Sequence, residues 1–171
     1  TFISIYVHNC TSSMWSNVRS QFPRQKVRLE IVRKMIELGI RTGEDDRLYV
    51  RDVEIGFSAL ARAVGVDRRV VKQTVSQIKK TEALKEIFSM MTPAGASLVP
   101  IASKLGYSTL VIEADPRAAG VISTVTKVLA DHSIVIRQAL AEDPDMNPDA
   151  RLTLVVEGNV TGDVVTQLEL L

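Results

Sequence analysis

From residue 23 onward the apolar positions fall into a helical rhythm. Val27, Ile31, Met35 and Leu38 recur at four, four and three residues, which draws one apolar stripe along a helix. Pro23 suits the first turn of that helix and Gly39 its exit. Arg24, Lys26, Arg28, Arg33 and Lys34 take much of the remaining surface. RTGEDD at 41–46 reads as a turn, and RLYVRDVEI at 47–55 alternates, which predicts a short strand broken near Arg51-Asp52. Ahead of all this, Phe2, Ile3, Ile5 and Val7 alternate loosely. That stretch reads either as a strand or as an extension ending near Ser13 that does not belong to the fold. Thr1 opens the chain and Met14 is its first methionine, so the sequence reads as processed or as a fragment.

The next pattern is the sharpest. In SALARAVGVDRRVVKQTVSQIKK at 58–80, Ser58 is placed to cap a helix carrying Leu60, Ala61 and Val64 inward. Gly65 ends it, because glycine enters the left-handed region without steric cost. Val66 follows as a buried turn residue, and Asp67 is placed to cap a second helix. There Val71, Val75 and Ile78 share the inner face, while Arg69, Lys72, Gln73, Ser76 and Lys80 form one polar stripe pointing outward. Helix, glycine turn and a second helix with a basic, amide-bearing face is the helix-turn-helix pattern. Such a face is free of apolar bulk, so it fits a major groove, where Arg and Gln reach base edges and Lys reaches phosphates. A solvated helix of any small bundle also carries polar residues outward. The lack of any Asp or Glu between Asp67 and Glu82 favours a polyanionic partner. The DNA-contacting set expected on this helix is Arg68, Arg69, Lys72, Gln73, Ser76, Lys79 and Lys80.

TEALKEIFSMM at 81–91 predicts a further helix with Leu84, Ile87, Phe88 and Met91 inward and the Met90-Met91 pair in the core, stopped at Thr92-Pro93. Residues 93–107 read as a connector, with Pro100 limiting any helix there. The rest is a second pattern: a strand at 108–114, a turn at Asp115-Pro116 and a helix with Val121, Val125, Val128 and Leu129. A strand at 133–142, a proline-bearing loop at 143–149 and a strand at 151–158, paired with its predecessor as a hairpin, come next. A last helix opens at Thr161-Gly162-Asp163 and carries Val164, Val165, Leu168 and Leu171. The order β-α-β-β-α lacks one closing strand of a ferredoxin-like unit. The expected fold class is therefore α+β. A mostly helical, winged helix-turn-helix domain at 23–92 follows an uncertain extension at 1–22, and the ferredoxin-like domain spans 108–171.

Charge separates the same two halves. Residues 1–107 hold 17 Lys and Arg against 10 Asp and Glu, and residues 108–171 hold 4 against 10. A basic module beside an acidic one points to two different partners, nucleic acid being natural for the first. Hydrophobic residues at 46% and charged residues at 24% describe a globular chain and exclude a disordered or collagen-like one. Cys10 alone cannot build a disulfide framework or a multi-cysteine zinc site, and His8 and His132 leave almost no stock of metal ligands. Glu44-Asp45-Asp46 and Asp143, Asp145 and Asp149 lack calcium-loop spacing and read as solvated turns. No membrane span, nucleophile elbow, phosphate loop or dinucleotide fingerprint is present, so the expectation is a cytoplasmic protein with no cofactor, no metal and no catalytic residues.

VIEADPRAAGVISTVTKVLADHSIVIRQALAED at 111–143 resembles the ACT domain, a small-molecule sensor built most often to bind amino acids. With the helix-turn-helix added, residues 23–171 are similar to the predicted archaeal regulators of amino acid metabolism. The resemblance implies an amino acid or related metabolite as effector, a homodimer with ligand at the dimer interface, and regulated DNA binding. In that family the first strand-to-helix turn commonly reads Asp-x-Pro-Gly. Here it reads Asp115-Pro116-Arg117-Ala118-Ala119-Gly120, the expected ligand-binding segment, with its proline and glycine shifted. Read on its own chemistry, this turn offers free backbone N–H groups and a helix dipole to a carboxylate, and Asp115 to an ammonium group. The same aspartate also serves as an ordinary helix cap. His132 reads as a helix-end residue. The family's closing strand lies beside the first, and residues 2–7 are a candidate to fill that edge, from the same chain or a partner. The rival expectation is a regulatory subunit that binds an amino acid and docks on a metabolic enzyme without touching DNA.

Overall fold

The computed structural model describes residues 14–171, so the strand expected within residues 1–9 lies outside the described residues. The chain divides into two units, one reaching to Gly95 and one spanning Ala96–Leu171. Among the described residues it is an α+β protein with two small antiparallel sheets of three strands each.

The first unit starts with a helix, α1 (Met14–Ser20), in the segment expected to be an extension. Trp15 and Val18 are buried, which makes α1 part of the packing. The next helix, α2 (Lys26–Leu38), begins later than Pro23. Arg24 sits in the left-handed region at φ 60, so the chain turns after the proline before the helix starts. Its buried face is Ile31, Val32 and Met35, and the end positions Val27 and Leu38 are exposed. Gly39 closes it at φ 62, with its N–H bonded to Ile36 and Met35 carbonyls.

The alternating stretch at 47–55 is a hairpin, β2 (Leu48–Val50) and β3 (Val53–Ile55), with β1 (Arg41–Thr42) on the outer side of β2. Arg51 at φ 52 lets the chain reverse between Val50 and Val53, which pair across the turn. Then come α3 (Phe57–Val64), α4 (Arg68–Lys80) and α5 (Glu82–Met90). Ser58 does not cap α3: the helix starts behind Gly56 with no side-chain cap. Gly65 takes the left-handed conformation at φ 75, and the Asp67 carboxylate accepts the Arg69 N–H at 2.7 Å. Val66 between them is half-buried. Val71, Thr74, Val75 and Ile78 form the buried face of α4. On α5 the inner face is Leu84 and Phe88, and Met90 is 69% exposed. Two residues past Phe88 is the far side of a helix, which removes Met90 from the core.

In the second unit, Val99–Leu105 forms a 3₁₀ turn and packs with β4 (Tyr107–Ile112). The Gln138 side chain ties the preceding segment down, donating to the Ala96 carbonyl at 2.9 Å and accepting the Leu98 N–H at 2.8 Å. Most of the expected connector is thus part of this unit. After β4 come α6 (Val121–Asp131), β5 (Ile136–Ala141), β6 (Leu152–Glu157) and α7 (Gly162–Glu169). The sheet order is β4-β6-β5, with β6 antiparallel to both neighbours. β4 and β5 therefore run parallel, with α6 crossing between them. Val125 and Leu129 of α6, Val164 of α7, and Leu152, Leu154 and Val156 of β6 make one buried cluster. Leu171 is exposed and lies beyond the end of α7. No helix among the described residues is long and apolar enough to cross a membrane.

Candidate functional site

Two surfaces carry concentrated chemistry, one in each unit. The first is built on α4. With its apolar residues turned inward, the helix leaves Arg68, Arg69, Lys72, Gln73, Ser76 and Lys80 exposed. Lys72, Ser76 and Lys80 stand one turn apart and form a ridge with a cleft on either side. One cleft has a volume of about 660 Å³ and is lined by Arg28 of α2 together with Arg69, Gln73 and Gln77. No carboxylate lines it. The other cleft runs toward the β1–β2 loop and includes Asp46 and Phe57.

Lys79 is held apart from the ridge. Its ammonium group pairs with Asp46 and donates to the Glu44 carbonyl at 3.0 Å, so it braces the β1–β2 loop against α4. Arg28 joins the surface from 40 residues or more upstream in the chain: Nη1 donates to Gln77 Oε1 at 2.5 Å and Nη2 to Gln73 Oε1 at 3.2 Å. The helix-turn-helix pattern does not reach back to α2, so sequence reasoning missed Arg28. The only signal there was the density of cations along that helix.

The second surface is a pocket of about 390 Å³ at the C-terminal end of β4 and the start of α6. Its floor is apolar, with Ile112, Val121, Ala141 and Leu152, and its rim carries Asp115, Glu142 and Arg151. Of the six residues expected in a ligand turn, Asp115, Pro116, Ala118 and Gly120 line this pocket. Ala119 lines a separate groove bordered by β4, α6 and α7. Arg117 reaches the 143–149 loop, where Nη2 meets Asp145 Oδ1 at 2.5 Å. That hydrogen bond and the charge of Asp145 raise the Arg117 pKa further, so it is a permanent cation.

Asp115 accepts the Arg117 N–H at 2.9 Å, which shapes the turn. Gly120 begins α6 at φ 97 with no side-chain cap. The first-turn N–H groups of α6 therefore receive no side-chain cap from residue 120. On the opposite rim, Glu142 Oε2 accepts the Asn147 amide at 2.9 Å and the Arg151 N–H at 3.1 Å. Arg151 pairs with Glu113 at 3.1 Å. Glu142 and Arg151 come from the β5–β6 connection, and nothing local in their sequence marks them as pocket residues. At the other end of α6, His132 is the closing residue and lies 3.2 Å from the Gln167 side chain of α7.

The arrangement can do two things chemically. The α4 surface presents fixed cations and amides to a large anion. The second pocket combines a positive helix end and an arginine with carboxylates over an apolar floor, which suits a small zwitterion. Comparison with protein-family models, with curated proteins and with solved structures finds no match for this chain.

Proposed function

We propose that the chain is an amino-acid-responsive DNA-binding regulator. In this reading α3 and α4 are a helix-turn-helix, the β2–β3 hairpin is its wing, and α4 enters the major groove. The Ala96–Leu171 unit is an ACT-type sensor of ferredoxin-like descent, supported by its β-α-β-β-α order and by β6 lying between two parallel strands. The observation that carries the reading is the exposed ridge of Lys72, Ser76 and Lys80, flanked by a cleft lined by Arg28 and Arg69 and free of carboxylates. Such a surface suits a regular polyanion better than a protein partner, whose contact core is usually depleted of Lys.

The effector binds the pocket beside Asp115 and Gly120. Its carboxylate meets the α6 N-terminus, its ammonium group meets Asp115 or Glu142, and its side chain rests on Ile112 and Leu152. The functional form is a homodimer, whose two α4 helices read half-sites about 34 Å apart. Effector changes DNA affinity only by its difference in affinity for the free and DNA-bound states, about 1–3 kcal/mol in systems of this kind.

The test is selection of bound fragments from a genomic DNA library, alone and with each of the twenty amino acids, paired with thermal melting under the same conditions. The reading expects an enriched sequence set, and at least one amino acid that both raises the melting temperature and changes the enrichment. An amino acid that shifts melting with no DNA enriched would favour the rival role, an enzyme-docking regulatory subunit. No enrichment and no shift would remove both halves.

A further inference from the structure

We infer that Arg28 of α2 fixes the orientation of the Gln73 amide, and that this excludes cytosine from the position it reads. The inference rests on α4 being the groove-reading helix.

The argument is one of hydrogen-bond polarity along a chain of four groups. The Gln21 backbone carbonyl can only accept, and it takes the Gln77 amide nitrogen at 3.1 Å. That choice turns Gln77 Oε1 toward Arg28, where Nη1 donates to it at 2.5 Å. A guanidinium group has donors and no acceptor, so its second arm also needs an oxygen. It finds Gln73 Oε1 at 3.2 Å. Flipping either amide would set N–H against N–H, so each link has one allowed direction. Arg28 is half-buried, which restrains its arms, while Gln73 stays exposed.

What Gln73 then presents outward is its Nε2 donor. An unrestrained glutamine can rotate its amide to suit a donor or an acceptor on a base edge. A restrained one cannot. Both purines offer N7, guanine adds O6 and thymine offers O4 as acceptors in the major groove, whereas cytosine offers the N4 amino group, a donor. The restrained amide accordingly accommodates adenine, guanine or thymine and rejects cytosine. Arg28 is thus a positioning residue for Gln73, and its pairing to two amides is something a lysine, with a single nitrogen, cannot reproduce in the same geometry.

The experiment is selection from a randomised duplex library with the full chain, comparing wild type with Gln73→Ala, Arg28→Ala and Arg28→Lys, each checked for an unchanged thermal melt. The expected result is one position at which cytosine is depleted about tenfold in wild type. That depletion is lost in Gln73→Ala and also in both Arg28 variants, with other positions kept. Arg28→Lys behaving as wild type while Arg28→Ala weakens every sequence equally would overturn the inference, because Arg28 would then be a simple phosphate cation. Cytosine preferred at the position lost in Gln73→Ala would overturn it as well. Either failure leaves DNA binding standing. No enrichment by wild type would remove the reading of α4 itself, and this inference with it.

Discussion

Single residues set the turns that hold both surfaces. Gly65 is in the left-handed region with open space where a Cβ would stand, so Gly65→Ala meets backbone strain alone, about 1–2 kcal/mol. Gly39 has the same backbone sign, but a Cβ there would run into the backbone of Thr92 and Pro93. Gly39→Ala should therefore lower the urea midpoint by more than Gly65→Ala does, and the reverse order would contradict the packing. A second residue-scale effect is titration. The Tyr49 hydroxyl donates to Asp45 Oδ2 at 2.6 Å, and this bond, helped by the Arg47 N–H and charge, holds the Asp45 carboxyl below the ordinary aspartate range. A folded value below the unfolded one, about 3.9, stabilises the folded unit at neutral pH, and the gain is lost as pH falls through the lowered value. Stability of wild type and Asp45→Asn, measured by urea unfolding from pH 7 down to pH 2, should converge in acid. A gap that persists or widens there would rule the bond out as its source. Gly65 and Asp67 were legible in the sequence because their signals are local. Arg28, Glu142 and Arg151 were not, because each reaches its site from a separate element through contacts that no neighbouring residue encodes.

At the scale of elements, periodicity located the longer helices and strands within a few residues. However, β1 lies where the sequence reads as a turn and the 3₁₀ turn where it reads as a connector, and other errors arose where backbone geometry overruled periodicity. The left-handed turn at Arg24 moved the start of α2 past Pro23. The reversal at Arg51 made a hairpin of what reads as one broken strand. Helix α1 was missed because seven residues are too few for a periodic stripe. The central strand of the second sheet is the element on which that unit depends, since Leu152, Leu154 and Val156 face both α6 and α7. Leu154 is fully buried, so Leu154→Ala leaves a cavity and should cost about 2–5 kcal/mol. For a unit of this size that is a large share of its total stability. Equilibrium unfolding by circular dichroism should show a markedly lower midpoint for that unit, and an unchanged curve would contradict the packing.

On the scale of the whole molecule, the two units divide the charge, and with it the proposed work. The α+β class and the presence of two patterned halves were legible from spacing and charge. The order of the sheet was not, because pairing between β4 and β6 joins strands about 45 residues apart. If the effector acts as proposed, coupling is reciprocal: an amino acid that tightens DNA binding by some factor must itself bind more tightly by that factor when DNA is present. Calorimetric titration of the amino acid with and without duplex reads this directly. The account as a whole stands on α4 gripping a polyanion, and salt dependence is the most direct measure of it. Affinity for duplex DNA, followed by fluorescence anisotropy across a salt series, should fall steeply on a log–log plot. In Arg69→Ala plus Lys72→Ala the slope should be shallower by about two, since each phosphate contact contributes about 0.9. Equal affinity and equal slope for the double variant and wild type would contradict the assignment of this surface.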